Sequence, residues 1–195
     1  MYGMMKGAGL LVFAGMLAST APGAALVPES VVTSVAAEPL TEKAFKPFGQ
    51  IVALPEGEQP TFENATLRFW GGVAKTRIHE SIEFAFFTAK KREHEIAGMD
   101  RHARTPCLLV GLSGDFFIAV APPPHPQAGK ARPEAARVRV FVVKQGQGVL
   151  LHKGTWHESP YPKGEEGVFM TAFRDGTMVK DLVRRAFKGG EVVKF

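Results

Sequence analysis

The stretch that decides the fold reads GQGVLLHKGTWHESPY, from Gly146 to Tyr161. It holds two of the chain's six histidines, His152 and His157, with glycines before and between them. Gly146 and Gly154 stand where a chain reversing between strands needs a positive φ, which glycine adopts without steric cost. VLL between them is a short apolar run of the kind that makes a buried strand. Side chains alternate along a strand, so Trp156 and His157 point to opposite faces and one of them enters the interior. The stretch is expected to be strand, turn and strand.

The same pattern continues on both sides. QIVAL, TLRFWGGVA, IEFAFFTA, CLLVGL, DFFIAVA, RVRVFVV and GVFMTAF are short apolar or alternating runs cut by Gly, Pro and Asp. Their number and spacing predict an all-β sandwich or barrel. A few short helices accompany it. In EPLTEKAFKPFG, Thr41 is placed to cap a helix with Ala44, Phe45 and Phe48 as its apolar positions, and VKDLVRRAF reads as a late helix. APPPHPQAGKARPEAA, from Ala121 to Ala136, reads as an exposed loop. There is no internal repeat.

The 195 residues are 45% apolar and 22% charged, which suits one globular domain with an extension. The formal charge is +5, but no basic run reaches five residues. That argues against a nucleic-acid partner, and the charge reads either as a solvated basic surface or as attraction of a small anionic substrate. Cys107 is the only cysteine, so the chain forms no internal disulfide. Lys6 followed by the apolar GAGLLVFAGML, from Gly7 to Leu17, and then small residues has the pattern of a signal peptide and points to export. The run is too short and glycine-rich for a stable membrane span. Residues 1–37 are expected outside the core and residues 38–195 within it.

Short strands with glycine corners suggest double Greek-key barrels, among them the cupins. The second cupin motif runs G, five residues, P, one residue, G, two residues, H, three residues, N. Set on Gly146, it places His152 at the Pro position, Gly154 and His157 in register, and Tyr161 at the Asn position. The first motif, anchored by its last glycine on Gly114, places Cys107, His102 and Asp100 at its ligand positions and His94 at its opening glycine. Asp100, His102, Cys107 and His157 can each bind a metal, so one divalent ion is an expected cofactor. The plainer alternative makes His102 a polar residue at a strand start and Cys107 a small buried apolar residue.

Four stretches resemble the ureidoglycolate lyase family, whose fold is the cupin β-barrel. They are PLTEKAFKPFGQIV; NATLRFWGGVA, with Asn64 and Arg68-Phe69; MDRHARTPCLLVGLSGDFFIAVA, with Asp100, Arg101 and His102; and VFVVKQGQGVLLHKGTWHESP, the most specific. The likeness runs from about Glu38 to Gly176. The chain departs from the family pattern at Asp100 (usually Glu), Cys107 (usually Gln) and Glu158-Ser159-Pro160, where His-Pro often stands. The resemblance implies a cupin-like jelly roll, an intracellular enzyme that splits ureidoglycolate into glyoxylate and urea, and pairing as a homodimer through the sheets.

That reaction needs three things. A cation must hold the carboxylate, for which arginine's planar fork is best. Arg68 is the first candidate and Arg101 the second, with Asn64 beside Arg68 in the family-like segment. One group must take the hydroxyl proton and another must protonate the departing nitrogen, and His152 and His157 suit both jobs near neutral pH. If a metal takes part, His102 and His157 become ligands and His152 the proton carrier; the residues leave both schemes open. Two other classes remain: another metal-dependent cupin enzyme, or an exported non-catalytic cupin that binds a sugar or anion. His79 and His94 lie in charged stretches and read as solvated, His125 sits in the proline-rich loop, and Trp70 and Trp156 read as packing residues.

Overall fold

The computed structural model describes residues 31–125 and 131–195. Its strands, in chain order, are β1 (Val32–Ser34), β2 (Ala37–Pro39), β3 (Gly49–Val52), β4 (Phe62–Glu63), β5 (Arg68–Phe69), β6 (Ile82–Lys90), β7 (Glu95–Ile96), β8 (Gly98–His102), β9 (Cys107–Gly111), β10 (Phe116–Ala121), β11 (Arg139–Val143), β12 (Gly148–Leu151), β13 (Trp156–His157), β14 (Tyr161–Pro162), β15 (Glu166–Arg174), β16 (Leu182–Ala186) and β17 (Val192–Lys194). Two single-turn helices, α1 (Glu42–Phe45) and α2 (Thr177–Lys180), accompany them. The fold is the expected all-β jelly roll of the cupin type.

Two sheets face each other. One has the order β16-β8-β13-β10-β11-β2, with β14 also paired to β10, and the other the order β3-β12-β9-β15-β6. Alternation along β10 shows why one sheet serves two cores. Phe116, Ile118 and Val120 point inward to meet Leu109, Val149, Leu151, Phe169 and Phe173 from the opposite sheet. Phe116 and Phe169 touch edge to face at 5.1 Å. Ala119 and Ala121, between them in sequence, point outward into a second cluster with Met99, Trp156, Tyr161 and Val193. A small sheet, β1-β17-β7, accompanies that second cluster through Val193 and Ile96.

Thr41 caps α1 as expected, its hydroxyl accepting from the Ala44 N–H at 3.4 Å, and Phe45 and Phe48 enter the core. Three expectations are corrected. Leu182–Ala186 is a strand on the edge of the large sheet rather than part of a helix, because its residues pair in register with β8. The packed structure begins before residue 38: β1 runs parallel to β17, with Val32 opposite Val192, and Val35 packs on the outer cluster. The signal-like stretch from Gly7 to Leu17 lies outside the described residues. His94 is not solvated; it stacks on Phe195 with ring centroids 4.5 Å apart. No helix among the described residues is long and apolar enough to cross a membrane.

Candidate active site

The corner quoted at the outset forms as expected. β12 ends at Leu151, residues 152–155 turn, and β13 begins at Trp156. Gly146 and Gly154 have φ of 80° and 85°. The Gly154 N–H donates to the His102 carbonyl at 2.8 Å, tying the turn to the end of β8. Trp156 is buried in the outer cluster, and His157 faces the interior between the sheets.

Strand register builds the site. On β8, Asp100 and His102 share one face, while Met99 belongs to the other. His157 on β13 lies directly opposite Asp100, and Arg184 on β16 lies opposite Asp100 from the other side. Arg184, Asp100 and His157 therefore form a row across three adjacent strands, with Leu182 and His102 in the next row. This face opens into a cavity of about 260 Å³, lined by Asp100, His102, Cys107, His157, Glu158, Thr171, Leu182 and Phe86, among others.

The imidazoles of His102 and His157 stand 5.1 Å apart, centroid to centroid. His157 Nδ1 lies 3.1 Å from the Thr155 carbonyl. A carbonyl only accepts, so Nδ1 carries the proton and Nε2 is left as a base. Burial pushes the His157 pKa down, while the Thr155 carbonyl and then the Asp100 and Glu158 carboxylates push it back up. Burial first, and His157 second, bring the His102 pKa down to about 4. His102 Nδ1 is buried without a partner among the described residues. Such an unpaired buried nitrogen carries a desolvation cost and calls for a functional explanation. Burial raises the Asp100 carboxyl from its ordinary value, against the pull of Arg184. Arg184 reaches Asp100 Oδ2 at 3.1 Å and the two oxygens of Glu158 at 2.8 and 3.4 Å.

Other sequence candidates stand elsewhere. His152 is exposed on the turn and does not line the cavity; only its backbone is engaged, donating to Phe48 and accepting from Thr155. Arg68 is exposed on the β4–β5 hairpin and paired with Glu63 at 2.6 Å. Asn64 shapes that hairpin, its side-chain oxygen accepting from the N–H groups of Thr66 and Leu67. Arg101 lies over the outer face of Trp156, 4.7 Å from the ring centre. One-residue alternation puts it on the side of the sheet away from His102.

The four expected metal residues are brought together. Asp100, His102, Cys107 and His157 line one cavity, but among the described residues no three His, Cys, Asp or Glu side chains are placed to hold an ion. Asp100 is turned to Arg184, and the Cys107 thiol contacts the Thr171 hydroxyl at 3.4 Å. Burial pushes Cys107 up to about 11, so without a bound cation it is a neutral thiol.

Glu158 and Arg184 were not among the residues singled out. Glu158 is buried on the link between β13 and β14, where the two strands pair with successive stretches of β10. Arg92 holds that link, donating to the Ser159 and Pro160 carbonyls at 2.7 Å each. Arg184 was hidden by the helical reading of its segment. A wider depression of about 970 Å³ under the hairpin, with Trp70 and Lys144 in its wall, shares no lining residue with the histidine cavity.

The family model for ureidoglycolate lyase matches residues 32–194. The chain belongs to the ureidoglycolate lyase family. A ureidoglycolate lyase from Chelativorans sp. is 28% identical over 147 residues, covering 73% of this chain and 86% of its own. Another, from Pseudomonas syringae pv. tomato, is 27% identical over 145 residues, covering 72% and 82%. The family match begins at β1, in agreement with the packed boundary rather than with residue 38. Among solved structures, Lactobacillus farciminis oxalate decarboxylase in a formate complex is similar over 53% of this chain and 26% of its own, at 15% identity and a TM-score of 0.37. The 3,4-ketoisomerase QdtA from Thermoanaerobacterium thermosaccharolyticum covers 52% and 64%, at 14% identity and a TM-score of 0.38. Those two likenesses are too slight to bear on the ureidoglycolate lyase site.

Proposed function

We propose that the chain is a lyase that splits ureidoglycolate into glyoxylate and urea in the cavity between His102, His157 and Asp100. Family membership supports the reaction, and the observation that carries the site is the tautomer of His157. Its Nδ1–H is committed to the Thr155 carbonyl, and its unprotonated Nε2 belongs to a side chain lining a cavity large enough for a small substrate. His157 takes the hydroxyl proton; the oxygen's electron pair becomes the new C=O bond; the C–N bond breaks; and the nitrogen, keeping the C–N electron pair, takes that proton back from His157. The Asp100 carboxylate, opposite His157 on the paired strand, stabilises the imidazolium formed in between. His102, buried beside His157 with its Nδ1 unpaired among the described residues, is a polar group open to the ureido end. The neutral His pair leaves the cavity free of the positive charge that would weaken the base.

A second copy of the chain is the proposed partner. The outer face of β6 exposes Ile82, Phe84 and Phe86, the last two at 65% and 69%. Met170 and Ala172 of β15 stand opposite Phe86 and Phe84, extending the apolar face across the sheet. An exposed apolar face of this kind marks an interaction surface.

The reading is tested with purified protein and ureidoglycolate, before and after exhaustive treatment with a chelator. Glyoxylate and urea released in equal amounts, with no loss after chelation, is the expected result. Activity lost on chelation and restored by a divalent ion would replace this scheme with metal-assisted cleavage. No product in either case would reject the lyase.

A further inference from the structure

We propose that Arg184 is the residue that grips the substrate's carboxylate, with Glu158 holding Arg184 in position; this rests on the lyase reading above and assigns that site a specificity residue. The two arginines expected from sequence lie on the hairpin and on the outer face of the sheet. Arg184 is different. Its register places it in one row with Asp100 and His157, at the cavity's edge, where it contacts two lining residues, Asp100 and Glu158, without lining the cavity itself. Its side chain is 56% exposed while the carboxylates it meets are nearly enclosed, so the guanidinium spans from solvent to the cavity wall.

The contacts are unequal. Glu158 accepts from both terminal nitrogens, at 2.8 and 3.4 Å, whereas Asp100 accepts from one, at 3.1 Å. Two carboxylates facing one guanidinium leave an excess negative charge, which opposes entry of an anion. A substrate carboxylate is accommodated when it replaces Asp100 at Arg184 and leaves the Glu158 pair intact. The planar fork then holds carboxylates along two edges, a geometry that lysine lacks. The exchange leaves the Asp100 carboxylate free beside His157, where it stabilises the imidazolium formed in the reaction.

The test is calorimetric titration of glyoxylate into wild type, Arg184→Gln, Arg184→Lys and the double variant Arg184→Gln/Glu158→Gln, with ureidoglycolate turnover measured on the same samples. The double variant removes one charge of each sign and leaves a neutral pair, so it carries the test if Arg184→Gln alone unfolds. Glyoxylate affinity at least tenfold weaker than wild type in the double variant, and weakened in Arg184→Lys, is the expected result. Wild-type affinity in the double variant would mean that Arg184 only neutralises Glu158, and would overturn the proposal, as would absence of glyoxylate binding by wild type. Turnover with Arg184-independent binding sinks the Arg184 assignment alone. Arg184-dependent binding without turnover sinks the lyase reading alone.

Discussion

At the scale of single residues, the site depends on two imidazoles kept neutral by burial. His102 gives a measurable signature. Its folded pKa of about 4 lies below the ordinary value of 6.5. Between these values the unfolded chain binds a proton that the folded chain does not, so stability rises with pH across the window and falls as pH drops from about 6.5 to about 4. The full effect is on the order of 3 kcal/mol. His102→Asn should flatten the dependence of melting temperature on pH across that window. An unchanged slope would show that His102 is not the buried neutral group described. Sequence made His102 and His157 legible because their spacing fits the cupin motifs. It could not place Arg68, because a cation beside an aromatic residue looks the same on an exposed hairpin as in a pocket. The exposed placement of His152 was hidden for a related reason: spacing along a turn does not say whether a side chain faces inward or outward.

At the scale of elements, the corner from Gly146 to His157 positions both histidines. Gly154 has φ of 85° and anchors the His102 carbonyl. Gly154→Ala forces an L side chain into the left-handed region, at about 1–2 kcal/mol. Its melting temperature should fall and ureidoglycolate turnover should weaken with it; an unchanged melting curve would show that the turn tolerates another conformation. This element was readable because glycine, apolar run and glycine encode a reversal locally. β16 was not. LVRRA shows no period-two alternation, so only its long-range pairing with β8 makes it a strand, and Arg184 was lost with it. The first strand was missed likewise, since VTS becomes a strand by pairing with residues near the other end of the chain. A chain starting at Ser30 should therefore unfold at a higher temperature than one starting at Glu38. Equal melting temperatures would show that β1 contributes nothing.

At the scale of the whole molecule, the jelly roll was legible from the count and spacing of short strands. The use of its large sheet for two cores was not, because that follows from which elements cover the outer face. The exposed Ile82–Phe84–Phe86 face predicts self-association: sedimentation should give a dimer at micromolar concentration, and Phe84→Glu with Phe86→Glu should give a monomer. A wild-type monomer would remove the proposed partner. The central claim, that His157 in the cavity between the sheets does the chemistry, is tested most directly by the rate of glyoxylate release from ureidoglycolate by wild type, His157→Ala and His152→Ala, each checked for an intact melting transition. The account predicts a loss of roughly 10²–10⁴-fold in His157→Ala and near wild-type rates in His152→Ala. Full turnover in a folded His157→Ala protein would contradict it.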